Sequence, residues 1–179
     1  MERPSAARIQ SPLVVAELVR HGAHEAARAL ALLLRCASVP VASVESVTHA
    51  ELAARYLVDG QTRALVVAFT VAGGFPGQFA VAASEADARV FAAELVGRFR
   101  SEKFSKRALG ALTELANIAA SAYFNGVARA IDTACVPSVP ILVLDDAESA
   151  VDSALGSSSE IAVVRLQVGG AALDLALAR

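Results

Sequence analysis

Apolar residues recur at three- and four-residue spacing over two long stretches, 12–35 and 105–133, which predicts two long helices. A Pro-marked extended segment follows each, at 38–47 and 136–144, and then a short helical pattern at 50–58 and 147–155. Two strands come next in both places. The β-branched run 64–71 turns at Gly73-Gly74 and returns over 77–83. The run 161–168 turns at Gly169-Gly170 and returns over 171–178. Between the two units, Ser84 predicts a cap for a helix over 85–96. Glu85 and Asp87 lie in its first turn, and Gly97 is its stop.

The chain therefore repeats itself at an offset of 97 residues. Glu17-Leu18 falls on Glu114-Leu115, Ala50-Glu51 on Ala147-Glu148, and Val66-Val67 on Val163-Val164. Val39-Pro40-Val41 corresponds to Val139-Pro140-Ile141 after a shift of three. Alanine is abundant, so the order of matched features carries the argument rather than any single match. The predicted fold class is α+β. Two units, about 12–97 and 105–179, would pair their hairpins into one antiparallel-rich sheet of about six strands related by a pseudo-twofold. The long helices and shorter ones would cover a face of it, within a single domain over 1–179.

The length of 179 residues and an apolar content of 55% allow a sizeable core. Much of that content is alanine, which favours close helix packing. The absence of Trp and a net charge of −2 argue against a stacking platform or a broad nucleic-acid footprint. The one basic cluster is Lys103, Lys106 and Arg107, preceded by Arg98 and Arg100. It reads either as a solvated helix start or as a docking patch for an acidic protein surface. Cys36 and Cys135 are expected as buried free thiols, with no disulfide framework and no metal spacing. Residues 1–10 lack a signal-peptide core, and the longest apolar helical run, 26–34, is too short to span a bilayer. A soluble, cytoplasmic protein without membrane insertion is expected.

On the second long helix, Leu109, Leu112, Ala116, Ala119, Tyr123, Val127 and Ala130 should face the core. Gly110, Glu114, Asn117 and Ser121 form a separate stripe, small and polar. It lacks the long Lys, Arg and Gln side chains of an ordinary solvated face. Glu114 and Asn117, at i and i+3, place a carboxylate and an amide one turn apart. Such a pair can grip a partner and position a water, and it marks this helix as the candidate site. Gly110 is unfavourable by about 1 kcal/mol against Ala in a helix interior, which suits a partner's close approach.

These residues resemble the CheC, CheX and FliY phosphatases of bacterial and archaeal chemotaxis. The family motif is Asp or Ser, three residues, Glu, two residues, Asn, commonly read as "ALxEIGNI". Here it reads Ala111-Leu112-Thr113-Glu114-Leu115-Ala116-Asn117-Ile118. The family's later Pro is matched by Pro140, with 22 residues between it and Asn117. Ser121-Ala122-Tyr123-Phe124-Asn125 is similar to the family's "SSYLNAL" stretch. Val136-Pro137-Ser138-Val139-Pro140 with Asp145-Asp146 is similar to its "PSPP…D" stretch. The resemblance covers about 12–179. It implies hydrolysis of the aspartyl-phosphate on a CheY-type receiver domain. Asn117 would orient the attacking water, and Glu114 would bind the receiver's Lys. Gly110, Ser121, Lys106 and Arg107 would lie against the partner. No cofactor is implied in this chain, because the Mg²⁺ would belong to the receiver.

Two departures from the motif stand out. Gly110 occupies the place of its Asp or Ser. On the first helix Glu17 matches the Glu position, but Arg20 stands in place of Asn and Leu13 in place of Asp or Ser. An Arg has no acceptor with which to orient water, so the first site is expected to be degenerate. The alternative reading is a non-catalytic module on the same fold that binds a receiver, a CheD-like deamidase or a flagellar-switch component. His21 and His24 are one turn apart beside Glu25, but metal-binding helices use i and i+4 more often. A solvated role is expected for both, and no metal site is assigned. His49 reads as a helix-start residue.

Overall fold

The computed structural model describes residues 12–57, 63–97, 103–158 and 160–179. Its elements in order are α1 (Pro12–Leu33), β1 (Val41–Val47), α2 (His49–Ala54), β2 (Arg63–Gly73), β3 (Gly77–Ser84), α3 (Glu85–Val96), α4 (Lys106–Ile131), β4 (Cys135–Pro137), β5 (Ile141–Asp146), α5 (Ala147–Leu155), β6 (Ile161–Val168) and β7 (Ala171–Ala178). The predicted Arg98 and Arg100 positions, and the end of the predicted 50–58 helix, lie outside the described residues.

One antiparallel sheet of seven strands runs in the order β1-β6-β7-β3-β2-β4, with β5 pairing β2 on the same edge as β4. The two hairpins, β2–β3 and β6–β7, meet at β3 and β7. The pseudo-twofold passes between those strands. Each unit gives its own extended segment to the other unit's hairpin: β1 pairs β6, while β5 pairs β2. The repeat predicts the hairpin pairing. It is silent on the exchange, because that partnership is a long-range choice that no local pattern encodes.

Helices cover both faces of the sheet, which corrects the expectation of one covered face. Beneath α1, α3 and α4 lie Leu65, Val67, Val81 and Leu175; beneath α2 and α5 lie Val66, Ala80, Ala82, Val163 and Ala176. The central strands β3 and β7 are therefore buried almost end to end and read as continuous apolar runs rather than alternating ones.

α1 and α4 pack closely because small residues line their contact. A Cβ at Gly22 would lie 2.9 Å from the Tyr123 ring, and one at Gly126 would lie 2.9 Å from Glu25 Cγ. Phe79, Tyr123 and Phe124 pack beneath that contact with centroids 4.9–5.0 Å apart. Of the seven predicted core positions on α4, Leu112, Ala116, Ala119, Tyr123 and Val127 are buried and Leu109 is partly so. Ala130 is exposed instead. Cys135 is buried as expected; Cys36 is only half-buried, its thiol reaching the Ser38 carbonyl at 3.5 Å.

Candidate functional site

α4 is 26 residues long, about 39 Å at 1.5 Å per residue. Ser105 caps it, its hydroxyl accepting from the Ala108 amide at 3.1 Å. At its other end Asp132 takes the left-handed conformation, φ 51°. With its apolar side held by the sheet, α1 and α3, the helix presents the predicted stripe to solvent. Gly110, Glu114 and Ser121 are exposed and Asn117 is half-exposed. Residues three apart on one helix face have Cβ atoms about 5–6 Å apart, so the Glu114 carboxylate and the Asn117 amide can act on one partner group. Among the described residues, no hydrogen bond or ion pair occupies either side chain. Thr113, between them in sequence, spends its hydroxyl on the Leu109 carbonyl at 2.9 Å.

The space at Gly110 is open: a Cβ built there meets nothing within 4 Å. Among the described residues, nothing beside Gly110 would obstruct a side chain. The first turn of α4 carries Lys106 and Arg107, both exposed, and no acidic residue. Cations at a helix N-terminus oppose the macrodipole by about 0.3–1 kcal/mol each. Their position gives the start of the stripe a positive potential at some cost to the helix. Lys103 just upstream is exposed but engaged within the chain.

The twin positions on α1 differ in chemistry. Glu17 and Arg20 are both exposed. Arg20 borders an open cleft of about 520 Å³ between α1 and strands β1, β6 and β7. His21 and His24 are also exposed. Glu25 is held by Arg129 at 2.9 Å and Arg28 at 3.6 Å, which ties α1 to α4 and leaves that carboxylate committed to the helix pair. Gly73-Gly74-Phe75-Pro76-Gly77 joins β2 to β3 as a hairpin turn, with Gly73 at φ 101°. Sequence reasoning missed a buried ion pair on the other face of the sheet. Asp174, 1% exposed, accepts from Arg165 Nε at 2.9 Å and Nη2 at 2.8 Å. Acidic and basic partners nine residues apart across the β6–β7 hairpin, at cross-strand positions, were the available signal.

No protein-family model matches the sequence, and no curated protein matches it significantly. Solved structures do match its fold. Thermotoga maritima FliY superposes with a TM-score of 0.68 at 15% identity, over 95% of this chain and 92% of that one. Borrelia burgdorferi CheX, solved as a CheX–CheY–BeF3–Mg²⁺ complex, gives 0.64 at 14% identity, over 91% and 97%. The FliM middle domain of Vibrio alginolyticus gives 0.61 at 14% identity, over 91% of each. At these identities the likeness is one of fold. Among the described residues, no helix is long and apolar enough to cross a membrane. The protein has the CheC/CheX/FliY-like fold of chemotaxis proteins.

Proposed function

We propose that the protein is a phosphatase of a phosphorylated CheY-type receiver domain, with one working site on α4. The observation that carries this reading is the solvent-facing pair Glu114 and Asn117, unoccupied by any group of the described chain. An aspartyl phosphate is already labile, and holding a water in line for attack supplies much of the acceleration needed. The Asn117 amide can accept from the water through its oxygen and donate to a phosphoryl oxygen through its nitrogen. Glu114, one turn earlier, receives a cationic side chain of the receiver and fixes the docking geometry. Lys106 and Arg107 steer an acidic surface toward the stripe, an effect on association rate more than on affinity. No nucleophile is required of this chain, and the receiver brings the Mg²⁺ that neutralises the phosphoryl oxygens. On α1, Arg20 offers donors only, so Glu17 is left without a water-positioning partner.

The likeness to a FliM middle domain and the open position at Gly110 favour a second reading, in which the same face binds a receiver or another chemotaxis protein without turnover. One experiment separates the two. Decay of phosphate on a purified phosphorylated receiver in Mg²⁺ is followed with and without the protein and its Asn117→Ala variant. Turnover predicts accelerated decay that Asn117→Ala removes while binding survives. Binding with unchanged decay supports the second reading.

A further inference from the structure

The two halves of the molecule are not equally covered. After β3, α3 folds back beside α4 and seals the sheet. Phe91 is 1% exposed, and only about 10 Å³ remains open among Leu65, Ala83, Leu112 and Ala116. The strand pair Ala64–Ser84 corresponds to Ile161–Ala178, so the twin of Glu85, where α3 begins, is Arg179. The twins of those four lining residues are Ala162, Leu177, Val15 and Val19. All four line the open cleft of about 520 Å³ beside α1. Among the described residues, the cleft is thus the unfilled counterpart of the α3 seat, with an apolar floor of the same origin.

We infer that this cleft is a docking seat for an amphipathic helix of a partner protein, one with a bulky apolar anchor in the place of Phe91 and a basic first turn. The filled seat shows what fits: a helix whose Ala88, Phe91 and Ala92 are buried. The charges specify the rest. In the filled seat Arg63 pairs with Glu85 of the first turn of α3 at 3.2 Å. The twin of Arg63 is Glu160, which borders the cleft, so the sign is reversed. A helix seated in the sense of α3 starts beside Glu160. That carboxylate favours the positive end of the helix dipole and attracts Lys or Arg in the first turn. Arg20 lies exposed in the same cleft, with no ion pair among the described residues, ready for an acidic side chain further along the partner. The substitution of Arg for Asn at the degenerate position thereby acquires a role. This seat is on α1 and neither needs nor excludes turnover at Asn117.

The test uses the full chain and a fluorescein-labelled synthetic peptide with the α3 sequence, Ser84–Gly97, in its native form and its Glu85→Lys form, read by fluorescence anisotropy. Saturable binding is expected, at least threefold tighter for the Glu85→Lys peptide. Glu160→Lys in the protein should reverse that preference. Ala16→Trp, which places a bulky ring in the cleft from the α1 side, should weaken binding at least tenfold with an unchanged melting temperature. No saturable binding, or binding indifferent to both protein substitutions, overturns the proposal. A dimer in sedimentation equilibrium that Ala16→Trp dissolves overturns it in favour of a second copy. Peptide binding that occurs only after deletion of residues 1–11 overturns it in favour of an occupant from this chain.

Discussion

At the residue scale, the candidate chemistry rests on two side chains and on a gap beside them. Replacing Asn117 by Ala removes the amide that can both donate and accept one turn from Glu114. Turnover of phosphorylated receiver should fall to the receiver's own rate, while affinity in a titration changes by less than about 1 kcal/mol, the scale of one neutral hydrogen bond. Glu114→Lys should instead weaken binding at least tenfold, because it places like charge against the partner's cation. Gly110 gives a second test. The open space around it admits a side chain, so Gly110→Ser should stabilise the protein by about 0.5 kcal/mol through helix propensity. If the family's Asp or Ser contributes to the reaction, the same change should raise the rate. A rise in thermal stability with no gain in rate would show that the missing hydroxyl matters little. The stripe itself was legible in the sequence, since small and polar residues at three- and four-residue spacing mark a face whatever lies opposite. The full extent of the buried side was not. Leu115, Ala120 and Phe124 are buried in addition to the predicted positions, because α4 is enclosed by α1, α3 and the sheet together, which widens its buried arc.

At the element scale, α1 and α4 are held together by the space that glycine leaves. Gly22→Val would drive its Cβ into the Tyr123 ring, 2.9 Å away in the present packing. Overpacking of this kind costs about 1–3 kcal/mol, visible as a lowered denaturant midpoint at constant m-value. On the opposite face, Tyr56 lies buried just after α2. The Tyr56 hydroxyl is buried beside the Asp174 carboxylate without hydrogen-bond geometry. Burial first, and then that negative charge, hold the phenol well above its usual pKa. Asp174→Ala would leave the half-buried Arg165 without its carboxylate partner. A loss of about 2–3 kcal/mol is expected, below the figure for a fully buried pair because Arg165 keeps some solvent. The α2 capping box supplies a pH test. The Thr48 backbone amide and then its hydroxyl donate to Glu51, and both lower the Glu51 pKa. A depressed carboxyl pKa adds stability above its unfolded value, and that stability is lost as pH falls through the folded value. The protection factors of the α2 amides, corrected for the intrinsic pH dependence of exchange, should therefore fall as pH drops below the ordinary carboxylate range, and Glu51→Gln should remove most of that difference. Element types were readable from period and caps. The second covered face was not, because α2 and α5 are short and their apolar pattern does not say which side of a sheet they take.

At the scale of the whole molecule, the internal duplication gives a sheet whose halves depend on each other. Because β1 completes the hairpin of the second unit and β5 completes that of the first, neither unit has its own full sheet. A chain cut after residue 102 should fail to unfold cooperatively as separate halves, whereas mixing the two halves should restore a cooperative transition in circular dichroism. The repeat was visible in sequence through the ordered matches at a 97-residue offset. The exchange that makes it one body was not, since β pairing is chosen by tertiary packing. The duplication also leaves its two sides with different chemistry. The α4 side keeps the carboxylate and amide over a sealed sheet, and the α1 side has Arg20 beside an open seat. The measurement that tests the central claim most directly is the decay of phosphate on a purified CheY-type receiver in Mg²⁺. It is followed alone, with this protein, and with its Asn117→Ala variant at matched occupancy. The account predicts decay accelerated at least tenfold by the protein and returned to the intrinsic rate by the variant. Decay equally fast with both proteins would contradict the assignment of Asn117, and no acceleration despite demonstrated binding would contradict catalysis itself.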